Sequence, residues 1–266
     1  MSIMTLVDLV ERLEGLLADT GGVVVAFSGG VDSTLLAYLS LKVLGERAVA
    51  VTANLSSLAP GGLDVARQVA SELGIRHRVV DYDELSEYGV AENGRDRCYY
   101  CKKGLFRRLR VVAGELGFDV IVDGTNSSDL EEWRPGYRAA LEAGVLMPYV
   151  ECGVGREEIR AISRGFGLPG NEGLHAMCLS TRFPYGQRIT VEGIRRVGLA
   201  EEYLRGLGLD ELRVRDHGGI ARIEVDPKEF GVIIDRSSDV SDHLCGLGFR
   251  YVTLDLDGFR SGSMDL

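Results

Sequence analysis

Short apolar runs alternate with amphipathic stretches over roughly the first 170 residues. The runs VVVAF (23–27), AVAVTAN (48–54), RHRVVDY (76–82) and DVIVDG (119–124) have the length and the β-branched content of buried strands. DSTLLAYLSLKVLG, GGLDVARQVASELG and CYYCKKGLFRRLRVVAGELG lie between them, each with apolar residues at helical spacing and a closing glycine. This alternation predicts an α/β fold, a parallel sheet with helices on both faces. Ligands of such sheets bind beyond the carboxyl ends of the strands. The N-terminal MSIMTLVDLVERLEGLL has an apolar 3-4 repeat with acids and reads as a surface helix, not a signal segment.

The Gly/Pro-rich stretch GLPGNEGLHAMCLSTRFPYGQRIT (167–190) breaks the rhythm. A boundary at residue 180 divides the chain into domains 1–180 and 181–266. The second starts with a helix (190–206), followed by two strands around HGG in LRVRDHGGIARIEVD. A Pro-started helix (227–236) and a terminal strand YVTLDLDGF complete it. This small α+β module is marginal alone by size, which predicts docking or a homo-oligomer.

Composition narrows the function classes. The chain of 266 residues is 45% hydrophobic and 26% charged, with a net charge of −10. That balance argues against a nucleic-acid-coating surface. No run approaches the roughly 18 apolar residues of a membrane span. Five cysteines without a signal segment point to the reducing cytoplasm, where a cysteine cluster is metal-binding or catalytic more often than disulfide-bonded.

The segment SGGVDS (28–33), between Ala26 at a strand end and a helix, is the first candidate for chemistry. Gly29 and Gly30 let the backbone turn with exposed N–H groups, Ser28 and Ser33 add hydroxyls, and the helix contributes its positive end. A plain strand–helix turn capped by Asp32 or Ser33 explains one residue, not the string. The string resembles the signature of the PP-loop ATP pyrophosphatases. The resemblance implies that the turn cradles the β,γ-pyrophosphate of ATP while the α–β bond breaks, leaving an adenylated intermediate. The missing P-loop lysine fits this different cleavage. Asp32 is assigned to Mg2+ rather than to phosphate. The second strand end, Ala53 to Ser57, is expected to cradle adenine and ribose through backbone groups.

DGTNSSD (123–129), followed by EEWRPG (131–136), ends another strand of the sheet. Thr125, Asn126 and Asp129 suit phosphate, ribose or Mg2+ contacts, and Arg134 can stabilise charge on the α-phosphate. A turn built on Gly, Asn and Ser is the plain alternative, and position beside the first loop favours function.

RCYYCKK places Cys98 and Cys101 on one face at a helix start, and HAMCLSTRFPYG carries Cys178. Spacing alone leaves three readings open. A 4Fe-4S cluster with three thiolate ligands leaves one iron open for a sulfide; a zinc site could add His175; or 98 and 101 form a redox or persulfide pair with Cys178 as nucleophile. Cys152 and Cys245 read as small buried apolar residues.

SGGVDS, GTNSSD, RCYYCKK, CLSTRFPYG and GGIARIEV, in this order, resemble the LarE family of ATP-dependent sulfur transferases over nearly the whole chain. The resemblance implies that a carboxylate of pyridinium-3,5-biscarboxylic acid mononucleotide is adenylated and its adenylate displaced by sulfur. The product serves nickel-pincer nucleotide formation. Members with only the cysteine matching Cys178 sacrifice its sulfur; those that also have the CxxC bind a 4Fe-4S cluster. This sequence resembles the second type, with ATP, Mg2+ and the cluster as cofactors and an unassigned sulfur source.

In the C-terminal module Arg213 and Arg215 share one strand face, as do Arg222 and Glu224 on the next. Each alone reads as a solvated hairpin face; together they can fork onto the mononucleotide phosphate, with Arg182 a further candidate. Tyr185 and Tyr99 or Tyr100 can stack on a pyridinium ring or simply pack. A tRNA-thiolating PP-loop enzyme is the nearest alternative, disfavoured by the acidic balance; an amidating PP-loop ligase would not need three cysteines. A non-catalytic nucleotide-binding module would not need Asp32, Asn126 and the cysteines together.

Overall fold

Thr5 starts the first helix, α1 (Leu6–Ala18): its hydroxyl accepts from the Asp8 N–H while the Asp8 carboxylate accepts from the Thr5 N–H. Leu9, Leu13 and Leu17 make its buried face. The computed structural model describes residues 5–130, 135–169, 178–260 and 264. They form two compact units interleaved along the chain. One comprises Met1–Leu55, Gly61–Glu84 and Cys98–Ala176; the other Ser56–Pro60, Leu85–Arg97 and Met177–Leu266.

In the first unit, β1 (Val23–Ala26), β2 (Ala48–Asn54), β3 (Arg76–Asp81) and β4 (Val120–Val122) form a parallel sheet in the order β3-β2-β1-β4. Leu146 extends it past β4, its N–H reaching the Ile121 carbonyl at 2.9 Å. Helices α2 (Val31–Leu44), α3 (Gly62–Leu73), α4 (Arg97–Leu116), α5 (Pro135–Glu142), α6 (Pro148–Cys152) and α7 (Arg156–Gly165) accompany it. Strand side chains alternate between two cores: Val23, Val25, Ala48 and Ala50 pack with α1, α2 and α7, whereas Val24, Val49, Val51 and Ile121 pack with α4 and α5. The expected α/β architecture is present. The run 76–82 corrects one expectation. It is an edge strand, half-exposed along most of its length, because β2 is its only strand neighbour.

The second unit holds α8 (Val191–Gly206), β5 (Leu212–Asp216), β6 (Ile220–Val225), α9 (Phe230–Asp235), α10 (Ser237–Gly246) and β7 (Tyr251–Leu254). β5 and β6 are antiparallel and β7 joins β6 in parallel, a mixed sheet. Gly218 and Gly219, at φ +64° and +93°, make the two-residue hairpin that L side chains resist. The expected helix 227–236 is a 3-10 turn (Pro227–Glu229) followed by α9, and α10 was not anticipated. Cys245 is exposed rather than buried: Val240 and Leu244 make the inner face of α10, and the next residue falls outside it. No helix among the described residues is long and apolar enough to cross a membrane.

Candidate active site

β1 leads through Ala26 and Phe27 into the glycine turn, and each glycine has a separate reason. Gly29 has φ +77°, and a Cβ there would meet the Ala66 Cα on α3 at 3.0 Å. Gly30 is the N-cap of α2 and offers no side-chain cap to the first-turn N–H groups, which have no intrahelical partner at any helix start. The serines shape the turn from within. Ser33 Oγ donates to the Gly30 carbonyl at 3.1 Å, so it accepts from the Ser28 N–H at 3.2 Å and the Ser28 hydroxyl at 3.1 Å. The Gly30 N–H in turn reaches Ser28 Oγ at 3.3 Å. The turn is also held from below. Thr52 Oγ1 donates to the Phe27 carbonyl at 2.9 Å, so His77 Nε2, at 2.8 Å, must donate to Thr52. Burial, then Arg67, lowers the His77 pKa and keeps the ring neutral.

The loop after β4 meets this turn. Asn126 Nδ2 reaches Asp32 Oδ2 at 3.5 Å, and the buried Tyr149 hydroxyl donates to the Asp32 carbonyl at 2.8 Å. Asn126 also brackets Asp129: its N–H lies 3.3 Å from Asp129 Oδ2, and its Oδ1 accepts from the Asp129 N–H at 3.3 Å. Arg156 Nη2 pairs with Asp129 Oδ1 at 3.2 Å. Burial raises the Asp32 pKa first, and repulsion from Asp129 adds to it, against Arg156, Asn126 and Arg160. Asp32 and Asp129 thus repel one another across Asn126, whose NH2 faces Asp32 and whose oxygen accepts from the Asp129 N–H; carboxylate oxygens are the ligand type that Mg2+ takes.

Thr125 turns inward: its N–H, at 3.0 Å, and its hydroxyl both bond Asp123 Oδ1. Lys102 Nζ lies 3.1 Å from each Asp123 oxygen. Burial alone would raise the Asp123 carboxyl, but Lys102 and Thr125 hold it below the ordinary range. Lys102 sits one residue beyond Cys101, whose carbonyl accepts from the Tyr82 hydroxyl at 2.9 Å. The first turns of α4 are thus pinned to the carboxyl edge of the sheet. Cys98 is exposed and Cys101 half-buried. Tyr99 is engaged in packing, with its hydroxyl 2.6 Å from Glu142 and the Arg138 guanidinium 3.9 Å from its ring centre. Sequence reasoning missed Lys102, Asp123 and Tyr149, because each pairs with a position far along the chain.

Ala53, with Asn54 and Leu55, belongs to the sheet unit, while Ser56 and Ser57 belong to the other, where the Ser57 carbonyl accepts from the Leu179 N–H at 2.8 Å. Arg134 and His175 lie outside the described residues. Cys152 is buried, and burial raises its thiol pKa.

Cys178, exposed, opens a 3-10 turn (Leu179–Arg182) in the second unit. Its carbonyl accepts from Thr181 Oγ1 at 2.9 Å, and that hydroxyl accepts from Arg182 Nη1 at 2.7 Å. Arg182, only 1% exposed, pairs through Nε with Glu201 at 2.6 Å. Arg215 Nε and Nη2 both reach Glu224 Oε2 at 3.0 Å, and its Nη1 donates to the Thr181 carbonyl at 2.8 Å. Arg222 takes the other Glu224 oxygen at 2.7 Å and faces Asp255 at 3.5 Å; Arg205 shares Glu201. Arg213 lies over Phe259, its pKa pushed down to about 10 by burial and then by Arg215 and Arg182. Arg182, Arg205, Arg213, Arg215 and Arg222 thus gather around Glu201, Glu224 and Asp255. Tyr185 is exposed, 6.0 Å from the Arg97 guanidinium. Among the described residues, no three His, Cys, Asp or Glu side chains stand together as a ready metal site.

The NAD synthase family profile matches residues 6–114. An uncharacterized protein of Synechocystis sp. is 41% identical over 257 residues, 96% of each chain. The pyridinium-3,5-bisthiocarboxylic acid mononucleotide synthase of Lactiplantibacillus plantarum is 39% identical over 262 residues, 98% of this chain and 95% of that one. The tRNA-specific 2-thiouridylase of Bradyrhizobium diazoefficiens is 37% identical but over only 42% of this chain and 33% of its own. Likeness at this level along nearly the full length, with the glycine turn built as an anion cradle, places the chain in the LarE-like family of pyridinium-3,5-bisthiocarboxylic acid mononucleotide synthases, PP-loop enzymes with an adenylating step.

Proposed function

We propose that the chain adenylates a carboxylate of pyridinium-3,5-biscarboxylic acid mononucleotide and converts it to a thiocarboxylate. The full-length likeness to the plantarum synthase carries this reading. The carboxylate oxygen attacks the α-phosphorus of ATP, the bond to the β-phosphate oxygen breaks, and pyrophosphate leaves into the N–H groups of the 28–33 turn. Ser28, Gly29, Gly30 and Ser33 shape that cradle. Asp32, with Asn126 and Asp129, would hold Mg2+, which when bound neutralises phosphate charge and lowers the cost of the leaving group. A sulfur nucleophile then attacks the acyl carbon, the acyl–oxygen bond breaks, and AMP departs with that oxygen.

The domain range 1–180 would supply activation, and 181–266 substrate binding and oligomer contacts. In the second range Arg213 and Arg222 are proposed to receive the mononucleotide phosphate, with Arg182 and Arg215, buried against Glu201 and Glu224, adding positive charge rather than direct contacts. Arg134 is proposed for the α-phosphate and Ala53 for the adenosine. Cys98, Cys101 and Cys178 are proposed to bear the sulfur chemistry. Their donor set suits a three-cysteine 4Fe-4S cluster, which when bound would carry a displaceable sulfide.

The test is anaerobic purification with iron and sulfide analysis, then incubation with ATP, Mg2+ and the mononucleotide. We expect AMP and a thiocarboxylate by mass spectrometry. Cys178→Ala should keep pyrophosphate release and lose the thiocarboxylate. AMP formed only with tRNA would overturn the substrate, and a zinc-containing, iron-free protein would overturn the cluster.

A further inference from the structure

Residues 85–97, which precede the CxxC pair, pack with the second unit, and their polar contacts fall on the segment that follows Cys178. Asn93 is fully buried and, among the described residues, is the non-glycine position with left-handed backbone, at φ +57°. Asparagine accepts that conformation more readily than most side chains. Its Nδ2 donates to the carbonyls of Phe183 at 3.2 Å and Pro184 at 2.7 Å, and its Oδ1 accepts from Arg97 Nη1. The same Nη1 donates to the Ser180 carbonyl at 2.9 Å, so both hydrogens of one nitrogen are committed. A flipped amide would set its oxygen against two carbonyls and its NH2 against a guanidinium, so the partners dictate its orientation.

The main chain runs alongside. The Gly186 N–H reaches the Asn93 carbonyl at 2.9 Å, and the Ile189 N–H reaches that of Ala91 at 2.7 Å. Arg97 is 6% exposed and keeps its charge at any working pH, which strengthens its bonds to neutral oxygens. The next residue in the chain is Cys98. Ser180, at the far end of the brace, is two residues beyond Cys178. Simple packing would need neither a buried guanidinium nor a left-handed asparagine, both costly to place.

We propose that Arg97 and Asn93 are positioning residues for sulfur transfer, bracing the peptide that enters the Cys98–Cys101 turn against the peptide that leaves Cys178. The inference rests on the sulfur-transfer reading above. The brace lies within the second unit and fixes the peptide before Cys98 against the peptide after Cys178, whereas adenylation, on the sheet unit, does not depend on it.

Two readouts test it on the full chain, with Asn93→Gly, Arg97→Met and Arg97→Lys. Asn93→Gly keeps the backbone conformation and removes only the amide, and Arg97→Lys keeps the charge without the fork. Pyrophosphate release should stay within about twofold, while thiocarboxylate formed per AMP falls by at least about tenfold in the first two variants and less in Arg97→Lys, as expected for a misplaced reacting group. Equal loss of both products, or no loss of either, overturns the brace. The second readout needs no activity: spin labels on Arg95→Cys and Cys178, with the other cysteines changed to Ser, should give a narrow distance distribution that broadens in Asn93→Gly. A distribution already broad in the parent, or unchanged in the variant, overturns the brace. A wild-type chain that makes no thiocarboxylate overturns the sulfur-transfer reading, and the labels still decide the brace.

Discussion

At the scale of single residues, Asp32 shows a conflict between stability and chemistry. Burial and the neighbouring Asp129 raise its pKa above that of an unfolded aspartate. Its contribution to stability is therefore present below the unfolded pKa and lost as pH rises through the raised folded value. At neutral pH the ionised group strains the fold until a cation joins it. Asp32→Asn should raise the melting temperature of the metal-free protein at pH 7 while cutting pyrophosphate release by about a hundredfold or more. Thermal scans with and without Mg2+ check the first part, since only the wild type should gain stability from the ion. Gly29→Ala is expected to cost about 1–2 kcal/mol from the left-handed backbone alone, before the contact with Ala66, and to weaken ATP binding. Denaturant melts and nucleotide titration would read the two effects. The turn at Gly29 and Gly30 was legible because a contiguous string carries it. Arg97 with Asn93, and Lys102 with Asp123, were not, since in each pair nothing local marks the partner.

At the scale of elements, α4 and the end of β4 are joined by one ion pair. Asp123 is held below the ordinary carboxylate range against its own burial, chiefly by Lys102. Its contribution to stability is present above the unfolded carboxylate pKa and is lost as pH falls through the folded value. Lys102→Met should cost about 1–2 kcal/mol at pH 7, and less in acid, because the stranded carboxylate then takes up a proton. A melting series across pH measures that convergence. Strand and helix periods were readable wherever an element is buried on a face. The edge position of β3 was not, because a sequence pattern does not count strand neighbours. The short α5 and α6 carry too few turns for a period to emerge.

For the molecule as a whole, the fold class and the two-part organisation could be read from the chain, but the interleaving of the units could not. Ser56–Pro60 and Leu85–Arg97 look like ordinary connections between a helix and a strand. Each hairpin arginine read alone as a solvated face, whereas the structure buries Arg215 with Glu224 and, outside the hairpin, Arg182 with Glu201. Removing one partner of such a pair leaves a buried charge. Glu224→Gln should therefore cost about 3–5 kcal/mol, seen as a lowered denaturant midpoint. Inorganic phosphate should raise the wild-type melting temperature, and added sodium chloride should diminish that gain.

Interleaving also sets a timetable for synthesis. The sheet unit has all four strands once residue 122 has been made. The stretches 56–60 and 85–97 are made well before the rest of their unit, which resumes only in the last third of the chain. For the time it takes to translate the last third of the chain, these two stretches are unfinished business on a nascent protein. They include Ala59, Leu85, Val90 and Ala91, apolar side chains that the finished fold covers fully or in part. A trigger-type chaperone would find its binding sites there, and a chain stalled near residue 176 should be cut by protease at 85–97 far faster than the completed protein.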